Sequence, residues 1–168
     1  MKEPTEQLIE EIGQATLQYG MDYIGWSQFV LAVLQEKLNV KDAGAFKAAT
    51  ALAGGIAGRG ETCGALIGGI MAIGQVFGRE TLEDAEQFQK AMIPASDMYL
   101  KFKEIVGHTL CAEIQKILYG KSFKLYEEEG KKAFLAAGGR GPEGCPGVGS
   151  KAAKIAARII LDLKASGQ

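Results

Sequence analysis

Three cysteines and one histidine are the residues of this chain best suited to redox or metal chemistry. Cys63, Cys111 and Cys145 stand far apart, and each falls at or near the predicted start of a helix. Thr62 is a natural N-cap for a helix opening at Cys63. Thr109 can cap a helix with Cys111 in its first turn, and Cys145 lies in a Gly- and Pro-rich loop ahead of the last helix. A helix N-terminus presents free N–H groups and a partial positive charge. That environment favours thiolate over thiol and lowers a cysteine pKa. The plain role of a lone cysteine is a small core residue. All three at helix starts point instead to thiolate chemistry or a thiolate-bound centre. The set is odd and sparse, without C-x-x-C or C-x-x-C-H. Disulfide frameworks, zinc ribbons, thioredoxin-like motifs and covalent c-type haem are therefore not expected.

His108 precedes Cys111 by three residues, close enough to act as base or metal ligand. The plainer reading is an exposed polar side chain beside a cap. Arg59 and Glu61 flank the turn before Cys63. They either pair with each other at the surface or, with Arg59 steadying a thiolate and Gly64 admitting a close approach, help bind a cofactor. Gly58-x-Gly60-x-x-Cys63-Gly64 follows a helix rather than a strand and lacks a Lys-Ser/Thr, so it is no phosphate loop. Glu127, Glu128 and Glu129 read as a solvated run, and Lys131, Lys132 and Arg140 as a slight basic patch. Tyr99 and Phe102 read as core.

The elements that must position these residues are helices. The spacing of Leu8, Ile9, Ile12 and Leu17 predicts a first helix over 5–19, capped by Thr5 and ended by Gly20. Further helices are predicted over 25–38, 43–54 with Asp42 as cap, and 63–77. Another opens at Thr81 or Glu83 and runs to 106, kinked or split by Pro94. Shorter ones follow over 110–119 and 127–137, then a loop over 138–150 and a last helix over 151–163. No segment alternates as a strand does. The expectation is one all-α domain over 1–168, a bundle of about six to eight helices.

Composition narrows the function. The 168 residues are 47% hydrophobic and 23% charged, which excludes disorder. A net charge of −1 offers no general attraction to nucleic acid or anionic membranes. The longest apolar run, 65–73, is too short to insert in a membrane. The start, MKEPTEQLIEEIG, is acidic and polar where a secretory leader is basic and then apolar, so a cytoplasmic protein is expected. Gly is unusually common, with 23 residues. Gly64, Gly68, Gly69 and Gly74 fall inside one predicted helix, where each costs about 1 kcal/mol against Ala. Close helix packing repays that, with Ala48, Ala49 and Gly54 as the opposing surface; a cofactor or partner chain against the backbone would also.

The block GRGETCGALIGGIMAIG, 58–74, resembles the CGAxxG signature of the C_GCAxxG_C_C family of redox-active proteins. Cys111 in HTLCAEI and Cys145 in EGCPGVGSKAA match later family cysteines in order. An earlier family cysteine corresponds to Trp26 in GWSQFVLAVL. The resemblance implies redox function in electron-transfer settings. Two readings follow. In the first, Cys63, Cys111 and Cys145 are catalytic or bind an iron–sulfur cluster, with His108, water or a partner chain as fourth ligand. A metal-free variant uses Cys63 with Cys111 or Cys145 as resolving partner. In the second, the chain is a non-catalytic helical assembly module with a Gly/Ala-rich dimer interface. A homodimer and a redox protein partner are the expected associations. The cysteines are expected to converge on one site, with Trp26 covering the place of a fourth thiol.

Overall fold

The computed structural model describes residues 2–167. Its elements are α1 (Lys2–Asp22), α2 (Trp26–Lys37), α3 (Ala43–Ala48), a 3-10 turn (Ala49–Leu52), α4 (Gly64–Phe77), α5 (Ala85–Val106), α6 (Cys111–Tyr119), α7 (Glu128–Ala136) and α8 (Cys145–Ala165). Among the described residues there is no sheet, only one isolated antiparallel bridge between Thr62 and Leu110. The all-α class and the helix count agree with the sequence.

α4 is the central element, packed by α2, α5 and α8, while α1 lies along α8. Its glycines explain how. A Cβ on Gly68 would stand 2.6 Å from the Ser27 carbonyl oxygen, and one on Gly69 would stand 2.5 Å from the Met98 methyl. The Gly64 and Gly68 face therefore meets α2, and near Gly64 also Leu52 and Ala53 of the turn. Gly74 has nothing within 4 Å and plays no part in close approach. The Gly64, Gly68 and Gly69 positions are thus taken up by packing within the chain.

Several boundaries differ from expectation. α1 begins before Thr5 and runs through Gly20. Gly20 is no terminator: a Cβ there would lie 2.9 Å from Pro146 of α8, so the glycine admits a neighbouring helix. α5 continues unbroken through the buried Pro94 and starts at Ala85, where the Asp84 carboxylate accepts from the Gln87 N–H at 2.9 Å. α8 starts at Cys145, six residues before its predicted start at residue 151, with Pro146 in its first turn, where a missing N–H costs nothing. Gly147 and Gly149 sit inside it, against the Pro142 carbonyl and the Phe29 ring. Asp42 caps α3 as expected, accepting from the Ala45 N–H at 2.8 Å. Tyr99 is on the outside, while Phe102 is fully buried.

Two ion pairs, Arg158 with Glu6 and Lys154 with Glu10 at 2.6 Å, tie α8 to α1. No helix of the described residues is long and apolar enough to cross a membrane.

Candidate thiol centre

The connection between the 3-10 turn and α4 fixes the first cysteine. Residues 54–58 all have positive φ, including Ile56 at 59° and Ala57 at 50°. A left-handed backbone costs a non-glycine residue about 1–2 kcal/mol. The run is held by its packing: a Cβ on Gly55 would stand 2.7 Å from the Cys111 Cβ and 2.6 Å from the Glu61 backbone. The chain then straightens and pairs with the start of α6. The Cys63 N–H donates to the Thr109 carbonyl at 2.8 Å, and the Cys111 N–H donates to the Glu61 carbonyl at 2.7 Å. In this antiparallel bridge Thr62 faces Leu110, so Cys63 and Cys111 are diagonal neighbours on the opposite face.

The third cysteine arrives with α8. Its N–H donates to the Tyr119 hydroxyl at 3.0 Å, which ties the start of α8 to the end of α6. Upstream, Arg140 donates to the Met21 carbonyl at 2.6 Å and the Tyr23 carbonyl, pinning the α7–α8 connection to the end of α1. Cys63, Cys111 and Cys145 thus line one cavity of about 10 Å³, together with Trp26, Ala65, Ile114 and Val148. All three are free and buried, at 6%, 4% and 8% exposure. Trp26 does stand at this cavity, its ring in edge contact with Phe29 and Phe134.

Each sulfur has a hydrogen-bond donor, and each donor is overruled by burial. Desolvation raises the Cys63 pKa, although the N–H groups of Ala65 and Leu66 in the first turn of α4 pull it down. Burial raises the Cys111 thiol, and negative charge on Cys63 or Cys145 would raise it further. Against this the Gln115 amide donates to its sulfur at 3.5 Å. Burial pushes Cys145 up to about 12, partly offset by the Tyr119 hydroxyl at 3.6 Å. The expectation of ready thiolates is thus corrected. The helix starts and donors are present, but removing a thiolate from water outweighs them. At neutral pH the centre holds three thiols.

The other candidates lie apart. His108 does not line the cavity; its Nδ1 accepts from the Leu110 N–H at 3.0 Å. Arg59 stacks over the Tyr126 ring, 4.0 Å from its centroid, and its side chain is exposed. Glu61 is also exposed and serves the site through its carbonyl. Gly64 packs against Ser27. Thr109 is not a side-chain cap for α6; its hydroxyl lies against that of Tyr99 at 3.4 Å. Lys131 and Lys132 pair with Glu128 and Glu129 on α7, and Arg140 turns inward.

Gln115 and Tyr119 belong to the site and were not singled out from the sequence. Gln115 is buried and ties α6 to the loop that follows it, its oxygen accepting from the Phe123 N–H at 2.7 Å. Both follow Cys111 at steps of four, so they share its helix face.

The described residues form no site for a single metal ion. A metal–sulfur bond of about 2.3 Å requires three or four ligands around one point. Among the described residues no three His, Cys, Asp or Glu side chains are so placed. The cavity between the thiols has room for about one water.

Comparison with curated proteins and with solved structures returns no match. One family model does match, over residues 26–159, and its description is "Putative redox-active protein (C_GCAxxG_C_C)". The match opens at Trp26 and takes in all three cysteines. On that coverage the chain belongs to the C_GCAxxG_C_C family of redox-active proteins.

Proposed function

We propose that the chain is a thiol redox protein whose centre is the Cys63, Cys111 and Cys145 cluster, working by dithiol–disulfide exchange without a metal. The observation that supports this most is the convergence of three cysteines from three helix starts on one closed cavity. The oxidant is a disulfide, either small or carried by a redox protein partner. One cysteine thiolate attacks an RS–SR sulfur, forming a mixed disulfide and releasing RS⁻. A second cysteine then attacks the mixed disulfide, closing an internal S–S bond and releasing a second RS⁻. The two cysteine protons end on the two released thiolates. The net change is two cysteine thiols oxidised and one external disulfide reduced to two thiols.

Burial supports a gated centre. The protonated, covered thiols are inert in the closed state, and local opening admits the partner. A reducing cytoplasm keeps such a centre in its dithiol form.

The test is made on protein purified without oxygen. Iron, zinc and acid-labile sulfide are measured, and free thiols are counted in denaturant before and after exposure to glutathione disulfide. The expected result is no stoichiometric metal or sulfide, loss of two of the three thiols, and a mass lower by two hydrogens. Stoichiometric iron with sulfide would establish the iron–sulfur reading instead. Three thiols surviving oxidation would overturn the exchange.

A further inference from the structure

The three sulfurs differ in what their donors can do. Cys63 faces peptide N–H groups, which cannot rotate and cannot take up a proton. Cys111 faces the Gln115 amide, whose oxygen is already occupied by the Phe123 N–H. Cys145 faces a hydroxyl, which donates one hydrogen bond and accepts two.

That hydroxyl is well placed. Tyr119 is the last residue of α6, half-buried, its ring held edge-on by Phe123 and Phe134. Its oxygen accepts from the Cys145 N–H at 3.0 Å, lies 3.6 Å from the Cys145 sulfur and 3.4 Å from the Gly139 carbonyl oxygen. Two hydrogen-bond patterns satisfy these atoms. With Cys145 as a thiol, S–H donates to the phenol oxygen and the phenol O–H donates to Gly139. With Cys145 as a thiolate, the phenol O–H turns to the sulfur and makes a charge-assisted bond. The N–H contact persists in both, so the ring need not move.

We propose that this Tyr119 hydroxyl makes Cys145 the attacking thiol of the centre, accommodating both protonation states of its sulfur inside an apolar cavity. The assignment rests on the thiol-exchange reading above. In the step itself the Cys145 thiolate forms the S–S bond to one sulfur of RS–SR, the RS–SR bond breaks, and the departing RS⁻ takes a proton from solvent equal to the one Cys145 released. Cys63 or Cys111 then resolves the mixed disulfide.

The experiment is competitive alkylation of the full reduced chain with limiting iodoacetamide, read cysteine by cysteine by peptide mapping. In the unaltered chain Cys145 is expected to label first. In Tyr119→Phe the Cys145 rate is expected to fall about tenfold relative to Cys63 and Cys111 in the same molecules, the effect of one lost hydrogen bond to charged sulfur. The ratio separates this role from packing, because a loosened fold would speed all three sites together. A ratio unchanged in Tyr119→Phe, or three rates rising together, would overturn the proposal. So would earlier labelling of Cys63 or Cys111 in the unaltered chain, which requires no variant to fold. Thiol loss to glutathione disulfide with Cys145 not first leaves the exchange standing and removes Tyr119. Cys145 first and Tyr119-dependent, with no thiol lost, does the reverse.

Discussion

The groove between α5 and α8 and the cavity between the cysteines differ widely in size, about 610 Å³ against about 10 Å³, and in chemistry the other way round. The groove is lined by Phe77, Ile93, Pro94 and Ile159 with charges at its edge. Three of those charges are already answered along α5: Lys90 by Glu86 at 2.6 Å, and Lys101 and Asp97 by each other at 2.7 Å. The cavity brings three nucleophiles and two side-chain donors together from α4, α6 and α8. In this molecule the largest opening lies between two helices, while the three cysteines meet where the helices nearly close.

That contrast can be broken most forcefully at Trp26. Trp26→Ala would open the thiol cavity and is expected to cost about 3–5 kcal/mol, read by urea denaturation. A loss under about 1 kcal/mol would mean that the indole does not seal the site. Next is Gly55→Ala. The added methyl meets the Cys111 Cβ and the Glu61 backbone at a residue with φ of 70°. An expected loss of about 3 kcal/mol in the same assay checks whether the left-handed run truly holds Cys111.

A third effect comes from pH. The folded thiols have pKa values raised above the ordinary 9.0. Below about pH 9 folded and unfolded chains both keep these protons, and the stabilisation is fully present. Above it the unfolded chain loses protons that the folded chain retains, so stability falls as pH rises toward 12, by about 1.4 kcal/mol per pH unit per thiol. Denaturation midpoints between pH 8 and 11 should show this slope, and Cys145→Ala should flatten it. A slope indifferent to the cysteines would refute their burial. Smallest is Ile93→Ala in the groove. Ile93 is 72% exposed, and a change within about 0.5 kcal/mol is expected on thermal unfolding. A larger loss would show the groove to be structural after all.

The helices were readable because each carries its own local instructions. Asp42 caps α3, the apolar run makes α4 central, and Gly120 ends α6 in a left-handed turn. Glycine was the ambiguous letter. Gly20, Gly147 and Gly149 look like breaks in a single chain, yet each marks where another segment comes close. Only the tertiary structure distinguishes the two uses, which is why the sequence pattern ends α1 too early and opens α8 too late. The convergence of the cysteines was legible from their common position at helix starts. Their protonation was not, because burial by Trp26, Ile114 and Val148 has no local signature. Tyr119 escaped notice for a similar reason: its partner Cys145 is 26 residues away, on α8.

The run over 54–58 has a consequence in chirality. Five successive residues there take up the mirror image of the ordinary helical backbone, and two of them, Ile56 and Ala57, do so as L-amino acids with exposed side chains. For a D-residue the same φ is the relaxed choice, because the steric preference reverses with the stereocentre. A chain assembled by ligation with D-alanine at position 57 should therefore be more stable than the natural one, although nearly everywhere else in this bundle one D-residue would unwind a helix. The segment that carries the chain into Cys63 is the longest stretch of the described residues folded against the protein's own handedness.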